Sequence, residues 1–577
     1  MNPTPNNLLT VWSELLLDAL ACAGVRHVVA SPGSRSTPFL LAAARDERLT
    51  VHSVVDERAA AFFALGLARV EARPPLLLCT SGTAPAHYFP ALIEASEAEL
   101  PLVVLSADRP RELSRAGAPQ TTDQVRLYGT HARFFADLGE PDASDAALRG
   151  LASTIRCAVE TALGPTPGPV HLNARARKPL EPITAETDAE RALEARARSI
   201  RPRPALRTTL RHDPRALESV IEALARAERP ALFAGPLPPE APREAVLEFA
   251  RRAGITLLAE ATSQLRFGPR EAVPTADAFE HWLGTSVAPD VLLEIGATPT
   301  TGTYLRWLDG RPPVRRFVLG GSRARDPSGT AEAVILGDIE AIFAELTDRL
   351  PHERRHEHSV FEAIDADAWR VIERVLAAES HTSEATALRR VVSRLPGGAW
   401  LGLGNSLPIR HADRYVRGGG APLRVLSQRG VNGIDGWIAA SAGAAMASGE
   451  PTVVVLGDVA FNHDVGSLAL AAAVKTPLLL VVLDNAGGRI FEQLPVARTD
   501  VDMTLFTTPP ALDLELATRA FGVRYAQTDW QTDDADTIDE ETQRALAHAG
   551  ATVLRIVVPP RGASEQLAAM RGAWSAS

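Results

Sequence analysis

Short, uninterrupted apolar runs recur along this chain, separated by longer segments with helical periodicity. Residues 453–456 (VVVL) lead into Gly457-Asp458-Val459, and residues 478–483 (LLLVVL) lead into Asp484-Asn485-Ala486-Gly487-Gly488. Runs this short, β-branched or Leu-rich and apolar at every position, read as strands buried on both faces, the habit of parallel sheets. Residues 464–474, between them, read as a helix.

The same pattern divides the chain into three α/β blocks. In the first, the predicted strands are 27–30, 51–54, 76–80, 102–106 and 170–173. In the second they are 231–234, 256–258, 291–295, 316–319 and 333–336. In the third they are 400–404, 424–427, 452–456, 478–483 and 553–557. Residues 180–208, rich in Pro, Glu, Arg and Ala, read as a linker that is helical in part, and 351–358, dense in His, Arg and Glu, as a second linker. The expected fold is three doubly wound, mainly parallel-sheet domains at 1–185, 209–350 and 359–577.

Composition narrows the function classes. The chain has 577 residues and is 46% hydrophobic and 23% charged, enough to build large cores. A formal net charge of -10 argues against a dedicated nucleic-acid binder. Lysine occurs only at Lys178 and Lys475, which disfavours Schiff-base chemistry. Cys22, Cys79 and Cys157 are widely spaced and read as reduced thiols of a cytoplasmic protein. The sequence carries no apparent signal peptide, no run of transmembrane length, and no HExxH, GxxxxGK[ST] or GxSxG motif.

The chemistry concentrates at strand ends. Parallel neighbours would bring the Asp458 carboxylate and the Asn485 carboxamide together at the carboxyl edge, where open α/β sheets bind ligands. Two hard oxygen donors beside glycines and free carbonyls suit magnesium plus a diphosphate. The competing reading is a generic Rossmann-like unit with a capping aspartate. In the first block, Glu57 opens an apolar helix after residues 51–54, where an acid also complements the helix dipole. Four arginines sit in strand-end segments rich in Gly, Ser and Pro: Arg35 in SPGSRSTP, Arg109 in SADRP, Arg410 in GNSLPIR and Arg429 in QRGVNGIDG. Such segments make anion-binding mouths, although any one arginine is as easily a solvated ion pair.

Gly457-Asp458-Val459, followed after 24 residues by Asp484-Asn485, resembles the Gly-Asp-Gly…Asn-Asn motif of thiamine diphosphate enzymes, with Val459 and Asp484 as departures. The segments SPGSRSTP, ADRP, GNSLPIR, RGVNGIDG and GGRIF together resemble the 2-succinyl-5-enolpyruvyl-6-hydroxy-3-cyclohexene-1-carboxylate synthase family, a thiamine-dependent branch serving menaquinone biosynthesis. The resemblance implies a transferase that decarboxylates 2-oxoglutarate and joins the product to isochorismate. It implies thiamine diphosphate with magnesium, or alternatively manganese, as cofactors. It also implies a homodimer or homotetramer with sites between chains.

Carried onto this sequence, the resemblance places Glu57 at N1′ of the aminopyrimidine. There a carboxylate favours the imino tautomer, whose 4′-nitrogen takes the C2 proton. Asp458, Asn485 and the Gly487 carbonyl would hold the metal. Ser81, Gly82, Ser406, Leu407, Gly457, Val459, Ile490, Phe491 and Leu494 would line the cofactor, with core packing as the rival role for the Ile490–Phe491 pair. Ser34, Arg35, Gln120, Arg410 and Arg429 would bind substrate carboxylates or intermediates. In the middle block, Thr301–Trp307 lacks a Lys-Arg pair that some relatives carry, and Arg306 is a weak substitute for it. The alternatives are another thiamine diphosphate-dependent 2-oxo acid decarboxylase or acetolactate-type carboligase, or a non-catalytic binding protein on the same scaffold.

Overall fold

The computed structural model describes residues 5–284, 287–310, 313–350 and 359–575; the linker expected at 351–358 lies outside them. Three parallel sheets organise the chain. The first contains β1 (His27–Ala30), β2 (Thr50–Ser53), β3 (Leu76–Cys79), β4 (Leu102–Asp108), β5 (Phe134–Asp137) and β6 (Pro169–Arg175), in the order β2-β1-β3-β4-β6-β5. The second contains β7 (Pro230–Ala234), β8 (Thr256–Ala259), β9 (Val291–Ile295), β10 (Arg315–Leu319) and β11 (Ala333–Ile335), in the order β11-β10-β9-β7-β8. The third contains β12 (Trp400–Leu403), β13 (Arg424–Leu426), β14 (Thr452–Gly457), β15 (Leu478–Asp484), β16 (Arg524–Asp529) and β17 (Ala551–Val557), in the order β13-β12-β14-β15-β17-β16.

Sheets one and three share one topology, as duplication of one unit would produce. In each, the order reverses between the first and third strands, the switch point where α/β sheets bind ligands. The central strands are almost wholly buried and carry long apolar runs, with polar residues such as Ser106, Asp108, Thr452 and Asp484 confined to their ends, which makes them legible as runs.

By compactness the chain forms two units. One comprises 1–208 with the short segments 430–432 and 442–448; the other holds the remaining residues, including both the second and third sheets. Within the latter, Arg266 stitches the second block to the third. Its buried guanidinium donates to the carbonyls of Ala259, Asp413 and Val416.

Two features differ from the sequence reading, and a third agrees with it. The edge strands β5 and β16 were not anticipated; both are partly exposed and lack a continuous apolar run. The helix expected at 464–474 is broken: one helix spans Asp458–His463, a 3-10 turn Val465–Ser467 follows, and a short helix covers Leu468–Ala471. The break falls at Asp464, whose carboxylate accepts from Ser467 Oγ and from the backbone of Ile438 and Ala439, so it serves other elements rather than continuing the helix. In the first linker, the helical part is Asp188–Ser199, started by a capping box between Thr187 and Glu190.

Candidate active site

In the third sheet, β14 and β15 pair in parallel with Gly457 opposite Leu483, so Asp458 and Asp484-Asn485 leave adjacent strand ends together. Asp458 is buried and is the first residue of the helix Asp458–His463. Its Oδ1 accepts from Val459 N at 2.8 Å and its Oδ2 from Gly487 N at 2.7 Å. The strand-end loop therefore folds back over the aspartate. Gly487 permits this with φ +119°.

Burial, then the nearby Asp484 carboxylate, pushes the Asp458 carboxyl well above the usual carboxylate range. Asp484 itself is claimed by Arg555, whose Nε donates to it at 2.7 Å. Asn485 is 5% exposed; its Nδ2 donates to Glu384, and its buried Oδ1 has no hydrogen-bond partner among the described residues.

The donor set fits a hard divalent cation. A desolvated carboxyl that a cation would draw into its ionised form, a carboxamide oxygen without a partner among the described residues and a glycine carbonyl are oxygen ligands of the kind magnesium takes. The Gly487 carbonyl accepts one bond, from Arg489 N at 2.8 Å, and keeps a second lone pair. Gly457 and Val459 flank Asp458 and are half-buried. Ile490 and Phe491 lie on the 3-10 turn Arg489–Gln493 and are also half-buried, while Leu494 is 42% exposed. Phe491 also packs against Phe506, their ring centroids 5.6 Å apart, so a packing role stands beside a cofactor-lining one for this residue.

At the switch point, the loop after β12 presents Asn405 and Ser406. Asn405 Nδ2 donates to Gln428 O and Gly433 O, tying this loop to the one that carries Arg429. Ser406 holds φ +75°, a conformation costly for a residue with a Cβ, at the start of the helix Leu407–Tyr415. Strain of this kind clusters at functional sites. Leu407 is buried. Arg410 donates to Ser406 O at 2.7 Å. Burial first, then the neighbouring Arg429 and Arg414, lower the Arg410 pKa, so two like charges are held near each other. Arg429 Nε is buried and has no hydrogen-bond partner among the described residues, which leaves a donor for an anion.

The first unit gathers a second constellation. Glu57 is the half-buried first residue of the helix Glu57–Glu71, which Asp56 caps by accepting from Arg58 N. Ser34 is exposed on a 3-10 turn, and Arg35 is 6% exposed, donating to Ala176 O at 2.7 Å. Burial and then Arg109 lower the Arg35 pKa against the opposing pull of Asp108. Ser81 and Gln120 are doubly joined: Ser81 Oγ donates to Gln120 O at 3.0 Å, and Gln120 Nε2 donates to Ser81 O at 3.2 Å. Gly82 N donates to Gln124 Oε1. A Cβ at Gly33 would stand 2.4 Å from the Thr80 side chain, so SPGSR and TSGT must pack closely. Arg306 is exposed, and it donates to Thr303 one turn back.

Sequence reading missed Glu384, His411 and Arg555 around the loop that follows β15. Glu384 follows Ser383, the N-cap of its helix, so it reads as an ordinary first-turn acid. Its site partner lies 101 positions away, and no local pattern encodes that.

Residues 11–127 match the family model for the N-terminal TPP binding domain of thiamine pyrophosphate enzymes, and 411–556 match the model for their C-terminal TPP binding domain. The chain is 41% identical to the 2-succinyl-5-enolpyruvyl-6-hydroxy-3-cyclohexene-1-carboxylate synthase of Sorangium cellulosum, over 99% of this chain and 95% of that protein. It is 40% identical to the synthase of the same name from Geobacillus kaustophilus, over 90% of each. Among solved structures, benzoylformate decarboxylase from Polynucleobacter necessarius superposes with a TM-score of 0.70, covering 95% of this chain and 98% of that one. At 16% identity that likeness concerns the fold alone. Full-length identity at this level, with both cofactor-domain models matched, establishes that the chain belongs to the 2-succinyl-5-enolpyruvyl-6-hydroxy-3-cyclohexene-1-carboxylate synthase family of thiamine diphosphate-dependent enzymes.

Proposed function

We propose that the protein is a thiamine diphosphate-dependent transferase of menaquinone biosynthesis. It decarboxylates 2-oxoglutarate and adds the remaining four-carbon unit to isochorismate, giving 2-succinyl-5-enolpyruvyl-6-hydroxy-3-cyclohexene-1-carboxylate. The observation that carries this reading is the full-length similarity to synthases of that name. The strand-end geometry supports it with a donor set suited to a metal-bound diphosphate.

Bound thiamine diphosphate supplies the electron sink for decarboxylation. The chain supplies the rest. Asp458, Asn485 and the Gly487 carbonyl hold magnesium against the diphosphate, with manganese as a substitute. Glu57 holds a proton at N1′. Ser81, Gly82, Ser406, Leu407, Ile490, Phe491 and Leu494 shape the cofactor cleft. Arg35, Arg410 and Arg429, with Ser34 and Gln120, take the carboxylates of two multiply anionic substrates. Paired like charges and an orphaned guanidinium donor are what an anion would relieve.

The active assembly in this reading is a homodimer or homotetramer in the cytoplasm, with each site shared between chains. Val55, two residues before Glu57, is 90% exposed, as a residue awaiting a second chain would be. Among the described residues, no helix is long and apolar enough to cross a membrane.

The test is mass-spectrometric product analysis with 2-oxoglutarate, isochorismate, magnesium and thiamine diphosphate. Coupled consumption of both substrates to the single adduct is expected. Release of succinic semialdehyde with isochorismate untouched would instead identify a plain 2-oxo acid decarboxylase.

A further inference from the structure

The oxygen of Asn485 can serve a metal only if its carboxamide faces the right way. Amide oxygen and nitrogen are nearly isosteric, so the hydrogen bonds around them decide which one points into the site. Here the deciding contact is Glu384. It is 2% exposed, at the first position of the helix Glu384–Ser393, where the helix dipole favours its charge. Its Oε1 accepts from Asn485 Nδ2 at 2.8 Å. Its Oε2 lies 3.3 Å from Nε2 of His411, which is also fully buried.

An ionised carboxylate only accepts hydrogen bonds. The opposite amide orientation would set Asn485 Oδ1 against a carboxylate oxygen, two acceptors in contact inside a desolvated pocket. The observed orientation instead leaves Oδ1 buried and unpartnered among the described residues. An unpaired buried acceptor costs free energy that a metal ion would recover.

We propose that Glu384 is a positioning residue for the metal site: it orients the Asn485 carboxamide and thereby sets the affinity for the metal–diphosphate pair. The proposal rests on the reading of Asn485 as a metal ligand. Glu384 touches neither metal nor substrate in this reading, and it acts through Asn485. Partners of this kind, one shell behind a metal ligand, typically change metal affinity by about 10–100-fold when removed.

The experiment measures thiamine diphosphate binding to the full-length protein by titration calorimetry across a magnesium series, with thermal unfolding of the metal-free protein alongside. Glu384→Ala is expected to weaken magnesium-dependent binding by about 10–100-fold. Glu384→Gln keeps an acceptor oxygen and should recover most of that loss. Asn485→Asp sets two carboxylates face to face and should bind poorly. Adding Glu384→Gln to Asn485→Asp supplies an N–H donor and should restore binding, which a merely structural glutamate would not do.

Parental magnesium dependence in Glu384→Ala would overturn the proposal. So would equal losses in the Ala and Gln variants, or no rescue in the double variant, which is decisive even if Glu384→Ala does not fold. Asp458→Ala serves as the control on the underlying reading. If it binds magnesium and cofactor normally, the metal assignment itself fails. If it abolishes binding while the Glu384 variants are unaffected, only the positioning role fails.

Discussion

Replacing Gly487 with alanine tests the proposed metal-holding role of the loop after β15 with a single added methyl group. Gly487 has φ +119°, and a Cβ there would stand 2.3 Å from the carbonyl oxygen of Thr507. That oxygen cannot yield easily, because it already accepts from Gly488 N at 2.6 Å and Thr507 is buried. Ordinary contact requires the loop to retreat by roughly 1 Å, given how steeply repulsion rises at short range. The retreat pulls Gly487 N away from Asp458 Oδ2, now 2.7 Å distant. A residue with a Cβ at positive φ costs about 1–2 kcal/mol, and a lost hydrogen bond to a carboxylate about 1.5–3 kcal/mol. Borne by the cofactor-competent loop, the sum of roughly 3–5 kcal/mol corresponds to an affinity loss of about 10²–10³-fold or more. Titration calorimetry with thiamine diphosphate at fixed magnesium reads that loss, and thermal unfolding of the ligand-free variant reads any global cost. Parental affinity with a parental Tm would refute both the clash and the loop's role. A lowered Tm with parental affinity would show that the loop relaxes without serving the metal.

Four further outcomes are expected. Glu57→Gln should keep folding and cofactor binding while losing most of kcat, because an amide cannot share a proton at N1′; parental turnover in the cofactor-loaded variant would remove Glu57 from that role. Arg35→Lys and Arg429→Lys should each lose roughly 1–3 kcal/mol of transition-state stabilisation, since lysine offers a point charge where arginine offers a fork. Their KM values for 2-oxoglutarate and isochorismate should shift unequally, and unchanged constants for both substrates would make these arginines structural. Arg266→Met should lower the unfolding free energy by about 3–5 kcal/mol in urea titrations, because it strands the buried carbonyls of Ala259, Asp413 and Val416 and removes the cation near Asp277. Burial holds His171 down at about 3 from its ordinary 6.5, with Ser106 Oγ 2.7 Å from its ring, so its contribution to stability is intact above pH 6.5 and is lost as pH falls below that value. Each unit of fall costs about 1.4 kcal/mol per such histidine until the folded pKa is reached, and His171→Gln should flatten this acid limb in denaturant titrations at pH 4.5–7.

What the sequence determined by itself was the set of central strands and which residues stand at their ends. A strand buried on both faces in a parallel sheet is apolar except where a polar side chain finds a buried partner, as Ser106 and Asp108 do in Asn173, so the apolar runs of β3, β4, β14 and β15 are readable without knowing their neighbours. Chain continuity then places Asp458 and Asn485 at strand ends, and one parallel register suffices to bring them together. The edge strands β5 and β16 were not readable, because half-exposed positions accept polar residues and their pairing lies in the partner strand rather than in the run itself. The broken helix after Asp458 escaped because Asp464 answers to the backbone of Ile438 and Ala439, more than twenty positions earlier. The orientation of the Asn485 amide by Glu384, the claim of Arg555 on Asp484 and the stitching of two blocks by Arg266 were also decided only in three dimensions. Each joins residues far apart in the chain, and each depends on burial: in water those groups would bond to solvent equally well, and only desolvation makes one partner obligatory.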